Sequence, residues 1–158
     1  DGEGKLVPEM YPILELIKSH DMVLATGHIS TQESMVLVAE ARSLGISRIV
    51  VTHGTTMSFM TGMTLEDMKT LAEMGAYIEH CAHVMMPLTR RMAPSDLVAT
   101  IMAIGPQHCI FSTDFGQDYH PTPAEGLRMG VATLLQAGME EVEVGMMVKD
   151  NPCRLLGL

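Results

Sequence analysis

Four short runs of apolar and β-branched residues recur along the chain, at 22–26, 48–52, 76–80 and 108–113. Each is followed by a polar loop, an amphipathic stretch and a glycine. The runs are short enough for strands and apolar enough to be covered on both faces, as strands of a parallel sheet are. The stretches between them open with helix-capping chemistry: Ser30 with Glu33, Thr64 with Asp67, and Thr122 followed by Pro123 and Glu125. They close at Gly45, Gly75, Gly105 and Gly138, where a chain turning back toward the next strand enters the left-handed region without a Cβ penalty. A further helix is expected over 8–20, with Ile13, Leu14 and Ile17 on one face and Lys18 and His20 at its cation-favouring end. Two short helices close the chain, over 140–149 and 152–156, the second capped by Asn151. Alternating strands and helices predict an α/β architecture, either a doubly wound open sheet or part of a barrel.

Composition narrows the partners. The net charge is −9, and Arg90-Arg91 is the only adjacent basic pair, read as a solvated loop or helix start. Nucleic acid, which needs a basic surface, is therefore excluded as a partner. No apolar run approaches the ~20 residues that cross a bilayer and no signal segment opens the chain, so a cytoplasmic protein without a membrane partner is expected. Cys81, Cys109 and Cys153 lack metal-finger spacing and read as buried thiols. The 16 methionines include Met57, Met60, Met63, Met85 and Met86 in connecting segments. They read first as gap-filling side chains and second as a Met-lined pocket.

The chemistry lies where the strands end. Gly27-His28, His53-Gly54, Glu79-His80 and Asp114-Phe115-Gly116 follow the four runs, and in α/β folds the loops after the strands' carboxyl ends converge on one site. One His or Asp at such a position often only hydrogen-bonds a loop. Two imidazoles and a carboxylate in equivalent positions are the ligand set of a hydrolytic metal site. Along the third run, Tyr77, Glu79 and Cys81 share one face and Ile78 and His80 the other, which leaves open whether Glu79 or His80 faces substrate. His83 lies beyond that strand and is left out of the metal set. His120 and Tyr119, in the loop after Asp114, are placed to contact substrate or to be solvated. His20 and His108 stand at the opposite ends of the strands and are assigned no chemistry.

The motifs "ATGHIS", "IVVTH" and "FSTDFG", in that order and followed by "NPCRLLGL", resemble strands five, six and eight of amidohydrolase-superfamily barrels and their closing helix. The resemblance implies the C-terminal half of a (β/α)8 TIM barrel: four parallel βα units, resembling strands five to eight, with a leading helix and closing C-terminal helices. The whole chain, 1–158, would be one partial barrel domain. It further implies that His28, His53 and Asp114 bind metal, with Asp114 also the catalytic base, and that Glu79, His80 and His120 are candidates for substrate contact. The implied cofactor is one or two divalent ions, zinc by default and manganese, iron or nickel as alternatives. The implied reaction is attack of a metal-activated water on an amide, ester or lactone of a small molecule, with a phosphoester less favoured.

The sequence departs from that family in having no His-x-His pair and no counterpart of the first four strands. A barrel of this type takes ~250 residues. The chain is therefore expected to be incomplete and inactive alone, and to pair with its missing N-terminal half or with another copy. Two alternatives stand beside the hydrolase: a related decarboxylase, and a noncatalytic half-barrel binding module. An open-sheet nucleotide or receiver module would need a glycine-rich phosphate loop or an acidic pair after the first strand, and neither is present.

Overall fold

Four parallel strands form one sheet in which the order across the sheet is the order along the chain, β1-β2-β3-β4. They are β1 (Leu24–Ala25), β2 (Ile49–Val51), β3 (Tyr77–Cys81) and β4 (Cys109–Ser112). Each lies within or beside one of the four apolar runs. The helices are α1 (Met10–Ser19), α2 (Thr31–Ser43), α3 (Leu65–Glu73), α4 (Pro94–Ile104), α5 (Pro123–Gln136), α6 (Glu141–Gly145) and α7 (Asn151–Leu156). A π-helical turn, Met146–Asp150, joins the last two. The computed structural model describes residues 4–56, 62–87 and 92–158. The expected positions of Met57, Met60, Arg90 and Arg91 lie outside them.

Strand order without reversal has a geometric consequence. Right-handed crossovers between neighbouring parallel strands place every helix on the same face, and α2, α3, α4 and α5 do pack side by side in succession. Ile49, Val51, Ile78, His80, Cys109 and Phe111 point into this helix layer and are buried. The opposite face carries Ala25, Val50 and Tyr77 in one row and Glu79 beside Ile110 in the next. Ala25 is exposed there, and Val50, Tyr77 and Glu79 are only partly covered.

The local signals act as written. Ser30 Oγ accepts the Glu33 N–H at 3.2 Å while Glu33 accepts the Ser30 N–H at 2.9 Å. Thr64 and Asp67 repeat this reciprocal cap at 3.2 and 2.8 Å. Thr122 does not cap α5 with its side chain. That helix starts on Pro123, and Glu125 pairs instead with Arg128 at 2.6 Å. All four helix-closing glycines have positive φ, from 87° to 102°. On α1 the apolar face is narrower than expected, since Leu14 is buried while Ile13 is 48% exposed. No helix among the described residues is long and apolar enough to cross a membrane.

Asn151 does something other than cap. The residue ahead of α7 is Asp150, itself helical, and Asn151 is the first residue of that helix. Its fully buried side chain instead reaches the start of β4, donating to Pro106 O at 2.9 Å and Cys109 O at 2.7 Å. The closing helices are thereby tied to the sheet end opposite His28, His53 and Asp114, not merely appended to α5.

Gly130 sets the separation of α5 from the sheet. A Cβ built there would lie 2.7 Å from Phe111 Cε1 and 3.4 Å from Ala82 Cβ. Phe111 is only 3% exposed and has little room to yield. Gly130→Ala is accordingly expected to lower unfolding free energy by roughly 1–3 kcal/mol, overpacking outweighing the helix-propensity gain. Urea denaturation checks this, and a more stable variant would show that the ring can move aside.

Candidate metal centre

The backbone ladder between β1 and β2 is continued beyond the strands by side chains. Thr52 N–H donates to Thr26 Oγ1 at 3.1 Å, and Gly27 N–H donates to Thr52 Oγ1 at 3.1 Å. These reciprocal bonds hold the two strand ends together, so His28 and His53 meet with ring centroids 4.9 Å apart. On the far side of His53, its Nε2 stands 3.9 Å from Asp114 Oδ1. That gap is too long for a hydrogen bond. Donors that share a cation at about 2.1 Å each stand ~3–4 Å apart, so it suits a cation between them.

His53 and Asp114 also share a backbone state. Each lies two residues beyond its strand and has φ of 55°, in the left-handed region that non-glycine residues rarely occupy. Residues held there cluster at functional sites, because the fold must over-determine them. Immediately after His53, Gly54 allows close approach to β3: a Cβ there would meet Ile78 Cγ2 at 2.5 Å. The three side chains are accessible. His28 is exposed, and the His53 and Asp114 side chains are 14% and 33% exposed.

Behind His53 lies a hydrogen-bonded set built from β3 and β4. Glu79 Oε2 accepts the His53 backbone N–H at 3.0 Å and lies 3.2 Å from His53 Nδ1. Ser112 Oγ donates to Glu79 Oε1 at 2.9 Å. Cys81 Sγ is 3.0 Å from His53 Nδ1 and 3.2 Å from Ser112 Oγ. Burial pushes the Glu79 carboxyl up, but the bonds from the His53 side chain, the His53 N–H and Ser112 outweigh it and hold Glu79 below its ordinary range. The Glu79 hydrogen bond raises the imidazole of His53 against the opposing effect of burial. Burial, then the Glu79 charge, pushes the Cys81 thiol up, so it is neutral at physiological pH.

His53 thus stands between two groups of donors. On its Nδ1 side, the ligand atoms of His53, Glu79 and Cys81 all lie within 4.8 Å of one another and can hold a metal ion. On its Nε2 side is Asp114, and the His28 ring lies beside the imidazole, but the group of ligand atoms found within that distance among the described residues is His53, Glu79 and Cys81, without His28 or Asp114. Glu79 is engaged by His53 and Ser112, and the Cys81 thiol is buried. His28 is exposed and Asp114 partly so.

The other sequence candidates fall elsewhere. His80 points away from Glu79 into the helix layer, 0% exposed, with neither ring nitrogen hydrogen-bonded among the described residues. His120 bonds Gln117, stacks on Phe115 with centroids 4.2 Å apart and meets His83 at 5.0 Å and Tyr119 at 4.6 Å. Its ring and hydrogen-bond partners do not include His28, His53 or Asp114. Met63 is buried, while Met85 and Met86 are partly covered. Ser112 and Cys81 were not singled out from sequence. The one available signal was that Cys81 alternates onto the face of Glu79.

A family model described as "Family of unknown function (DUF6282)" matches residues 1–79, half of the chain. The chain belongs to this family. The DUF6282 match covers His28, His53 and Glu79 and ends before Cys81, Ser112 and Asp114. No curated protein and no solved structure matches the chain.

Proposed function

We propose that this chain is the C-terminal half of a (β/α)8 barrel and part of a metal-dependent hydrolase of the amidohydrolase type, with His28, His53 and Asp114 as its share of the metal centre. The observation that carries the reading is that His53, at one strand end, has the His28 ring 4.9 Å from its own and Asp114 Oδ1 3.9 Å from its Nε2, with His53 and Asp114 both held at φ of 55°. The unreversed strand order and the single helix layer support the barrel, since a doubly wound sheet reverses its order and covers both faces.

A divalent cation held here supplies Lewis acidity and lowers the pKa of water toward neutrality. Zinc is the expected ion for mixed imidazole and carboxylate donors. On this reading Asp114 would take the proton of the attacking water and return it to the leaving group. A small-molecule amide, ester or lactone is the proposed substrate. The complementary half of the barrel would complete the ligand set and cover the open sheet face. An apolar groove of about 540 Å³ beside β1, between α1 and α2, offers further surface for that contact.

Titration of the metal-free chain with Zn2+, followed calorimetrically, tests the site. Stoichiometric uptake that is lost in both His53→Ala and Asp114→Ala is expected. Full retention in either variant, or no uptake by the parent chain, overturns the ligand assignment.

A further inference from the structure

We infer that Glu79 is a positioning residue which fixes the tautomer of His53, so that Nδ1 carries the proton and the Nε2 lone pair is presented on the side of Asp114. An ionised carboxylate only accepts hydrogen bonds, so Oε2 at 3.2 Å from Nδ1 requires a proton on that nitrogen. The same oxygen accepts the His53 backbone N–H at 3.0 Å, which fixes the residue's main chain as well as its ring. The neutral imidazole has one proton, so Nε2 is left with the lone pair.

The rest of the set has one consistent direction. Ser112 O–H donates to Glu79 Oε1 at 2.9 Å. That leaves Ser112 Oγ free to accept, and the Cys81 thiol at 3.2 Å is the donor that faces it. The Cys81 sulfur, 3.0 Å from Nδ1, then shares the imidazole N–H with Glu79. Every proton runs toward Glu79 or along the chain that ends there. A ligating histidine whose second nitrogen is held by a carboxylate has its ring orientation set and its basicity raised. On this assignment Glu79 and Cys81 serve His53 and do not themselves ligate the ion.

Only the metal-binding part rests on the proposed centre, so the experiment has two arms. In the first, the metal-free chain is labelled with ¹⁵N-histidine and read by long-range ¹H–¹⁵N correlation at about pH 9, where imidazole is neutral. His53 is expected as the Nδ1–H form, to stay so in Glu79→Gln, and to shift toward Nε2–H in Glu79→Ala. An Nε2–H form in the parent chain, or no change in Glu79→Ala, overturns the inference whatever the metal does. In the second arm, Zn2+ affinity is expected to fall roughly 10–100-fold in Glu79→Ala, with most of it restored in Glu79→Gln. Failure of the parent chain to bind Zn2+ with the first arm intact removes the metal centre but leaves the role of Glu79 standing. Co2+ gives a spectroscopic check: a thiolate-to-cobalt charge-transfer band that is lost in Cys81→Ser would make Cys81 a ligand and overturn the inference, and its absence is expected.

Discussion

Replacing Asn151 with leucine is expected to destabilise the chain by roughly 2–3 kcal/mol, although the position is remote from the candidate centre and leucine suits a helix. The Asn151 side chain is 0% exposed and gives both amide protons to main-chain carbonyls, of Pro106 and of Cys109. Its own oxygen accepts from Arg154 Nη1 at 3.0 Å. Leucine of similar volume removes the side-chain donor from the buried Cys109 carbonyl, at about 1–3 kcal/mol, while the part-buried Pro106 carbonyl keeps the Cys109 N–H as a donor. The loosened piece would be the closing helices, whose apolar residues Val144, Met147 and Leu155 are buried in the fold. Urea unfolding measures the loss. A change below about 1 kcal/mol would mean that the closing helices are held by apolar packing alone.

His80 governs the second large effect, which is a dependence of stability on pH. Burial holds its imidazole down to about 4, against an ordinary 6.5, and the neighbouring Glu79 charge offsets this only in part. The unfolded chain therefore binds the proton more tightly than the folded one. Stability from this residue is intact above pH 6.5 and declines as pH falls toward 4, because protonation pulls the chain toward the unfolded state. The gap between the two pKa values corresponds to about 3 kcal/mol once both are passed. His80→Leu is expected to remove this component, leaving a flatter stability curve between pH 6.5 and 4. At neutral pH the variant should equal or exceed the parent chain, since two ring nitrogens with no partner among the described residues are replaced by apolar atoms. Parallel pH curves for the two proteins would show that His80 takes up its proton without unfolding the chain.

Much of the architecture was legible because it is encoded locally. Ser30 with Glu33 and Thr64 with Asp67 start helices through bonds made within four residues, and Gly45, Gly75, Gly105 and Gly138 end units through their own backbone freedom. Apolar runs of strand length, each between two such signals, specify parallel strands without reference to distant residues. The placement of His28, His53 and Asp114 just beyond strand ends followed from the same boundaries. Local reasoning was less sure where several partners compete: Thr122 did not cap, and Asn151 answered to carbonyls more than forty positions away.

By itself, then, the sequence determined the element types, their order, and the set of chemically able residues at the strand ends, since each depends on near neighbours. Only the tertiary structure decided that Glu79 and Cys81 face His53 while His80 turns into the helix layer. Alternation along β3 allows either choice, and the packing of Ile78, His80 and Phe111 against the helices settles which face is buried. The Glu79 contact joins residues 26 positions apart, and that of Ser112 with Glu79 spans 33. Such contacts exist because parallel pairing sets neighbouring strand ends side by side, and chain periodicity carries no record of them.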